Sequence, residues 1–155
     1  MTQDVATIRL LRYPLRHYVR SREHFDELLR ELQLVDLGIQ AGTTHLDLPQ
    51  RLQALVDQLT TRYRARVDEL DALRSAAIER GEVSMDLVYE LPVEAKASVE
   101  QIAALLEECD EFCRNGSHLL TLATPPDMAE FRRWNLDEIR RQIDGGEPTP
   151  WPGDL

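Results

Sequence analysis

"LPQRLQALVDQLTTRYRARVDELDALRSAAIER", residues 48–80, decides the architecture. Leu48, Leu52, Leu55, Val56, Leu59, Tyr63, Leu70, Leu73 and Ala77 form one unbroken apolar stripe at the helical period. Pro49 is tolerated in a first turn and Gly81 stands just past the end. The spacing predicts a single helix roughly 45 to 50 Å long. In a chain of 155 residues such a helix sets the long axis of the domain.

Three further helices are expected around it. Residues 14–37 open at Pro14 and carry Tyr18, Ser21, Phe25, Leu28, Leu29 and Leu32 on one stripe. Residues 93–114 divide cleanly. Ala95, Val99, Ile102, Leu105, Leu106, Cys109 and Cys113 lie on one side, with Lys96, Glu100, Glu107, Asp110, Glu111 and Arg114 on the other. Residues 125–144 start at "TPPD", where Thr124 reads as the N-cap, Pro125 as the first helical residue and Asp127 as a carboxylate at the positive helix end. Gly145 and Gly146 end that helix. Between Gly81 and Pro92 the period changes to two, with Val83, Met85, Leu87, Tyr89 and Leu91 on one side. That segment is an edge strand or an extended connection. The expected fold is mainly α: an antiparallel bundle of about four helices with a long second helix and one or two short extended segments. Residues 1–146 form one helical domain and residues 147–155 a Pro-rich extended tail.

Composition excludes several classes. At 43% hydrophobic and 30% charged the chain reads as a soluble globular domain. No run approaches the roughly 18 apolar residues of a membrane span, and arginines occupy the first residues where a secretory leader needs its apolar region. With just two cysteines, a reducing, cytoplasmic setting is expected. Seventeen arginines against the single Lys96 reflect GC-rich codons and point to a bacterial source. A net charge of -10 argues against nucleic acid, which requires a basic surface. Charge is uneven, however. Residues 1–30 carry six Arg against four acids, while residues 82–111 carry Lys96 against nine acids. The acidic block reads first as a solvated helix face and second as a steering surface for a partner.

No catalytic or cofactor motif is present, and no metal site or cofactor is assigned. Cys109 and Cys113 lie four apart with His118 beyond them, but zinc would need a fourth ligand, and both thiols sit on an apolar stripe, so a core role is expected. His17 and His24 are too far apart on one straight helix to share an ion and are expected at the helix margin, satisfied by solvent.

The last helix holds the residues that need explaining. Met128, Phe131, Leu136, Ile139 and Ile143 define its stripe, yet Arg132 and Asn135 project within the same arc. Arg132 must therefore meet an acid or backbone carbonyls at the core rim. Trp134 projects about 150° from the stripe's centre. The favoured expectation is that the chain's own tail, through Trp151, covers it. The functional reading makes Phe131, Arg133, Trp134, Arg141 and Trp151 a partner-binding surface, because interfaces concentrate Trp and Arg.

"HLLTLATPPDMAEFRRWNLDEIRRQIDGGEPTPWP" (118–152), with "DLVYELPVEA" (86–95) and "EECDEFCRNG" (107–116), resembles an uncharacterised family of short bacterial proteins. That family is associated with neighbourhoods of anti-sigma-factor and ATP-binding regulators. The likeness transfers no catalytic residue; by genomic company it implies a regulatory role. The expected function is a non-enzymatic regulatory or adaptor protein, self-associating and bound to an unidentified signalling partner. The alternative is a bundle holding a metal ion or small ligand between helices.

Overall fold

A computed structural model describes residues 3–40, 48–115 and 124–155. In chain order these form β1 (Val5–Pro14), α1 (Leu15–Gln40), α2 (Leu48–Arg62), α3 (Arg64–Glu79), β2 (Ser84–Pro92), α4 (Ala95–Asn115) and α5 (Pro126–Ile143). The chain is mostly helical, as expected, but where a bundle of about four helices with one or two short extended segments was expected, the described residues form five helices and a two-stranded antiparallel sheet. The period-two segment is strand β2, and its partner is the N-terminal stretch that periodicity had left unassigned. Val5 pairs with Pro92, Ile8 with Tyr89 and Leu10 with Leu87. Ile8 and Leu10 point inward while Thr7 and Arg9 face out. Beyond Leu10 the register shifts, with Tyr13 opposite Met85. Arg12 takes φ 54° there, a left-handed conformation seldom adopted by a residue with a Cβ. This bulge shortens the visible alternation in "VATIRLLRYP" to a few residues, too few to signal a strand by themselves.

The long helix is also corrected. It is divided at Tyr63, whose φ and ψ of -112° and 20° leave the helical basin. Tyr63 N–H still donates to the Leu59 carbonyl, and the Tyr63 carbonyl accepts from Val67 N–H, so α2 and α3 follow closely on one another. The division lets the two halves serve different cores. Leu52 and Leu55 of α2 pack with Leu28, Leu105, Leu106 and Cys109. Ala77 of α3 instead packs beneath the sheet with Ile8, Leu10, Tyr13, Leu87, Tyr89, Phe131, Ile139, Ile143 and Trp151. Past the break the inward stripe runs through Leu70, Arg74 and Ala77, and Leu73, expected inside, is 42% exposed.

The connection from α3 to β2 closes by local hydrogen bonds. Gly81 N–H donates to the Ile78 carbonyl and Glu82 N–H to the Ala77 carbonyl, the paired bonds of a Schellman cap, with Gly81 at φ +78°. A Cβ at Gly81 would meet nothing within 4 Å, so substitution there tests backbone conformation alone. Gly81→Ala is expected to lower the unfolding free energy by about 1 to 2 kcal/mol in urea titration, with an unchanged slope. A loss below about 0.3 kcal/mol would show that the turn relaxes at no cost.

Candidate functional site

Phe131 and Trp151, two of the five residues read as a partner surface, are interior: they are 3% and 2% exposed. The tail returns along β1 and α5. Trp151 N–H donates to the Leu11 carbonyl, and Arg12 Nη1 donates to the carbonyls of Trp151 and Gly153, so the strained bulge aims Arg12 at the tail. The indole of Trp151 meets Trp134 edge-on at 5.5 Å and Phe131 at 5.9 Å between ring centroids. Trp134 Nε1–H donates to the Thr149 carbonyl, which explains its position off the stripe of α5. Gly153 is required for this wrap, because a Cβ there would lie 2.5 Å from the Trp151 ring. Arg141 also holds the tail, donating to the Glu147 carbonyl, the Thr149 hydroxyl and Glu138. Of the five, Arg133 alone is exposed and given no tail contact.

His17 is a correction as well. It is buried against Phe131 and Trp151 rather than satisfied by solvent at the helix margin, and its Nδ1 has no protein partner. His24 is half-buried, 3.4 Å from the Thr124 hydroxyl, and burial holds its pKa below the usual imidazole value. Thr124 does not cap α5. The N-cap position is Pro125, which offers no side-chain bond, and the Thr124 hydroxyl and N–H both donate to Asp110 of α4. Arg132 Nη2 completes this group, donating to Asp110 at 2.5 Å and to Glu107 at 3.3 Å. The acid that Arg132 required thus comes from α4, and the pair fastens α4 to the start of α5.

Beside this fastening lies an open-sided cavity of about 260 Å³, lined by residues of α1, α3, α4 and α5. Its apolar wall includes Phe25, Leu28, Leu106, Met128 and Phe131. Its polar wall is unusual for a site between helices: Tyr13, Tyr18, Ser21, Arg22, His24, Arg74, Thr124, Arg132 and Asn135. Arg74 is the organising cation. Nη1 donates to the Tyr13 hydroxyl, Nη2 to Asp71, and the guanidinium lies 4.2 Å from the centroid of the Tyr18 ring. Tyr18 in turn donates to Asp71 and accepts from Arg22. Burial pushes the Tyr13 hydroxyl up to about 12 against the lowering effect of Arg74, so it remains a donor.

Among the described residues five buried side-chain atoms lack a hydrogen-bond partner, and three of them, Ser21 Oγ, Arg74 Nε and Asn135 Oδ1, belong to residues that line this space, although the atoms themselves are closed off from water. An unpartnered buried polar atom costs on the order of 1 to 3 kcal/mol, so the packing around these three side chains is less complete than in the two apolar cores.

No known family, no functionally described protein and no solved structure matches this chain. The site therefore stands on its own geometry. Part of it was visible earlier: Ser21 in the stripe of α1, and Arg132 with Asn135 in the arc of α5, are polar residues on apolar faces. Arg74 and Tyr13 were missed. The available signal was the spacing Leu70, Arg74, Ala77, which the supposed single stripe through Leu73 hid. Among the described residues no group of three or more His, Cys, Asp or Glu is arranged to hold a metal. His118 lies outside the described residues. Cys109 is fully buried, and burial raises its thiol to about 12, which fits the expected core role.

Proposed function

We propose that this chain is a non-enzymatic regulatory protein that holds a small ligand between its helices. The observation that supports the reading is one cavity whose lining combines the cations Arg22, Arg74 and Arg132 with an apolar wall of Phe25, Leu28, Leu106, Met128 and Phe131. A space of this size, just below the range typical of drug-sized ligands, suits a small metabolite. Its walls come from four helices and the end of β1, so an occupant would bridge both cores and change the stability of the whole fold.

A melting-temperature screen of small amphipathic compounds tests this, run in parallel on Asn135→Leu. That variant removes one unpartnered atom and fills part of the cavity. It is expected to be as stable as the parent or more so, by about 1 kcal/mol, while losing every response seen with the parent. Equal responses in both proteins, or none in the parent, would remove the reading.

A second reading, an adaptor acting through protein contacts, is supported by the sheet. It has two strands among the described residues, so the outer edge of β2 has no strand beside it, and Val88 there is 53% exposed. Self-association belongs to this reading too. Sedimentation at micromolar concentration that gives a monomer with and without ligand would count against it.

A further inference from the structure

The inference rests on the adaptor reading and names the partner that the outer edge of β2 would take. The two strands have unlike outer edges. That of β1 is covered by its own chain: Gln142 accepts from the Arg9 N–H and donates to the Arg9 carbonyl, and Trp151 N–H donates to the Leu11 carbonyl. Because Arg9 turns its backbone away from β2, the residue opposite, Val88, turns its own away from β1. Val88 and Glu90 therefore present their N–H and carbonyl groups along the outer edge of β2, where no bond from another described residue reaches them.

Next to that edge is an open-sided apolar crevice of about 230 Å³, lined among others by Leu59, Val67, Leu70, Tyr89, Leu91 and Val99. Among the described residues its lining comes from the α2–α3 segment, β2 and α4, with none from β1, α1 or α5, so it opens on the side of β2 away from β1. A strand laid along β2 would send alternate side chains to opposite faces of the sheet. One set would enter the crevice beside Tyr89 and Leu91, and the other would lie beside Asp86, Val88 and Glu90.

Charge selects among the strands that could dock. On the outer face β2 carries Asp86 and Glu90, and β1 carries Arg9 opposite Val88. Asp86 accepts from the Arg12 N–H, whereas Glu90 has no hydrogen bond or ion pair among the described residues. The guanidinium of Arg12 is turned to the tail. Glu82 and Glu94, which flank the strand, pair with Arg80 and Arg62, and Arg66 at the crevice pairs with Glu69. Two carboxylates against the one guanidinium of Arg9 leave a negative charge on this face. Full overlap of two copies about Val88 would set each Asp86 against the other copy's Glu90, a like-charge contact that disfavours self-pairing there.

We propose that the outer edge of β2 takes an extended basic peptide of a partner protein as a third strand, with its apolar side chains in the crevice beside Tyr89 and Leu91 and an arginine or lysine facing Glu90.

An acetylated and amidated octapeptide in which valine alternates with threonine, with one threonine replaced by arginine, is a suitable probe. It is titrated into the full chain at low ionic strength and followed by amide NMR shifts. The amides of Val88 and Glu90 should shift, and the same peptide with glutamate for arginine should bind at least about fivefold more weakly. Glu90→Lys, at an exposed and unpaired residue, should reverse that order without changing the melting temperature. Val67→Asp sets a charge in the crevice and should weaken binding about tenfold. Main-chain pairing is tested on the peptide, which leaves the fold untouched: methylating the backbone nitrogens of alternate residues should abolish binding for one set and spare it for the other. Equal binding of the arginine and glutamate peptides, or equal effects of the two methylated sets, overturns the proposal. If no peptide binds, yet the chain self-associates in sedimentation and Val88→Pro makes it a monomer, the edge serves a second copy. The basic-peptide assignment then falls and the adaptor reading survives. If no peptide binds and the chain is a monomer, both fall.

Discussion

Replacing Trp151 by alanine is expected to lower the unfolding free energy by about 3 to 5 kcal/mol, the range for truncating a large core aromatic. Trp151 lies four residues before Leu155, yet it is 2% exposed and joins the core beneath the sheet. Its indole contacts His17, Phe131 and Trp134, and Nε1–H donates to the Asp154 carbonyl. Removing residues 147–155 should cost at least as much. The N–H of Thr149 is lost as a partner of buried Glu138, and the Arg12 guanidinium loses both carbonyls to which it donates. Urea unfolding of the parent, Trp151→Ala and the truncated chain checks this directly. A cost below about 1 kcal/mol for both variants would mean that the tail is a loose appendage and Trp134 an exposed residue awaiting a partner.

Breaking the Asp110–Arg132 pair should be nearly as costly. The side chains are 6% and 17% exposed, so removing either leaves its partner's charge poorly solvated, a loss of about 3 to 5 kcal/mol for a buried pair. Asp110→Ala additionally strands the Thr124 N–H and hydroxyl. The double variant Asp110→Leu with Arg132→Met should recover much of the loss, since two apolar groups demand no compensation. Additive costs in the double variant would show that the two residues act separately. The pair also imposes a pH dependence. Burial acts to raise the Asp110 carboxyl, but the bonds from Thr124 and Arg132 and the Arg132 charge outweigh it and hold the group below its ordinary 3.8. A depressed carboxyl binds more protons unfolded than folded, so its contribution is complete above its unfolded value. It is lost as pH falls through that value toward the folded one. Stability measured from pH 6 down to pH 2 should therefore fall less steeply for Arg132→Met than for the parent.

Helices α4 and α5 were legible because their apolar stripes and their stops are local. The expected 93–114 and 125–144 correspond to α4 (Ala95–Asn115) and α5 (Pro126–Ile143), whose stripes and ends are properties of neighbouring residues. The requirement that Arg132 find an acid was equally local: an arginine within an apolar arc has few alternatives. Which acid it would be was not legible. Asp110 had been placed on the outer side of its helix, and it is buried because α5 lies across it.

The site was legible only as isolated oddities. Ser21, Asn135 and Trp134 each broke the pattern of their own helix. That Ser21 and Asn135 share a cavity with Arg74, and that Trp134 meets Trp151, depends on contacts between distant parts of the chain.

The amino-acid sequence by itself determined where the main helices run, because helical hydrogen bonds and stripes connect residues three and four apart. The tertiary structure decided the remainder: the pairing of residues 5–14 with 84–92, the division at Tyr63, the return of the tail and the lining of the cavity. Strand pairing joins Ile8 to Tyr89 across some eighty intervening residues, and no local pattern encodes a partner at that separation. The division at Tyr63 follows from the same cause. A stripe read along one helix assumes one core, and this chain has two, which only the packed molecule distinguishes.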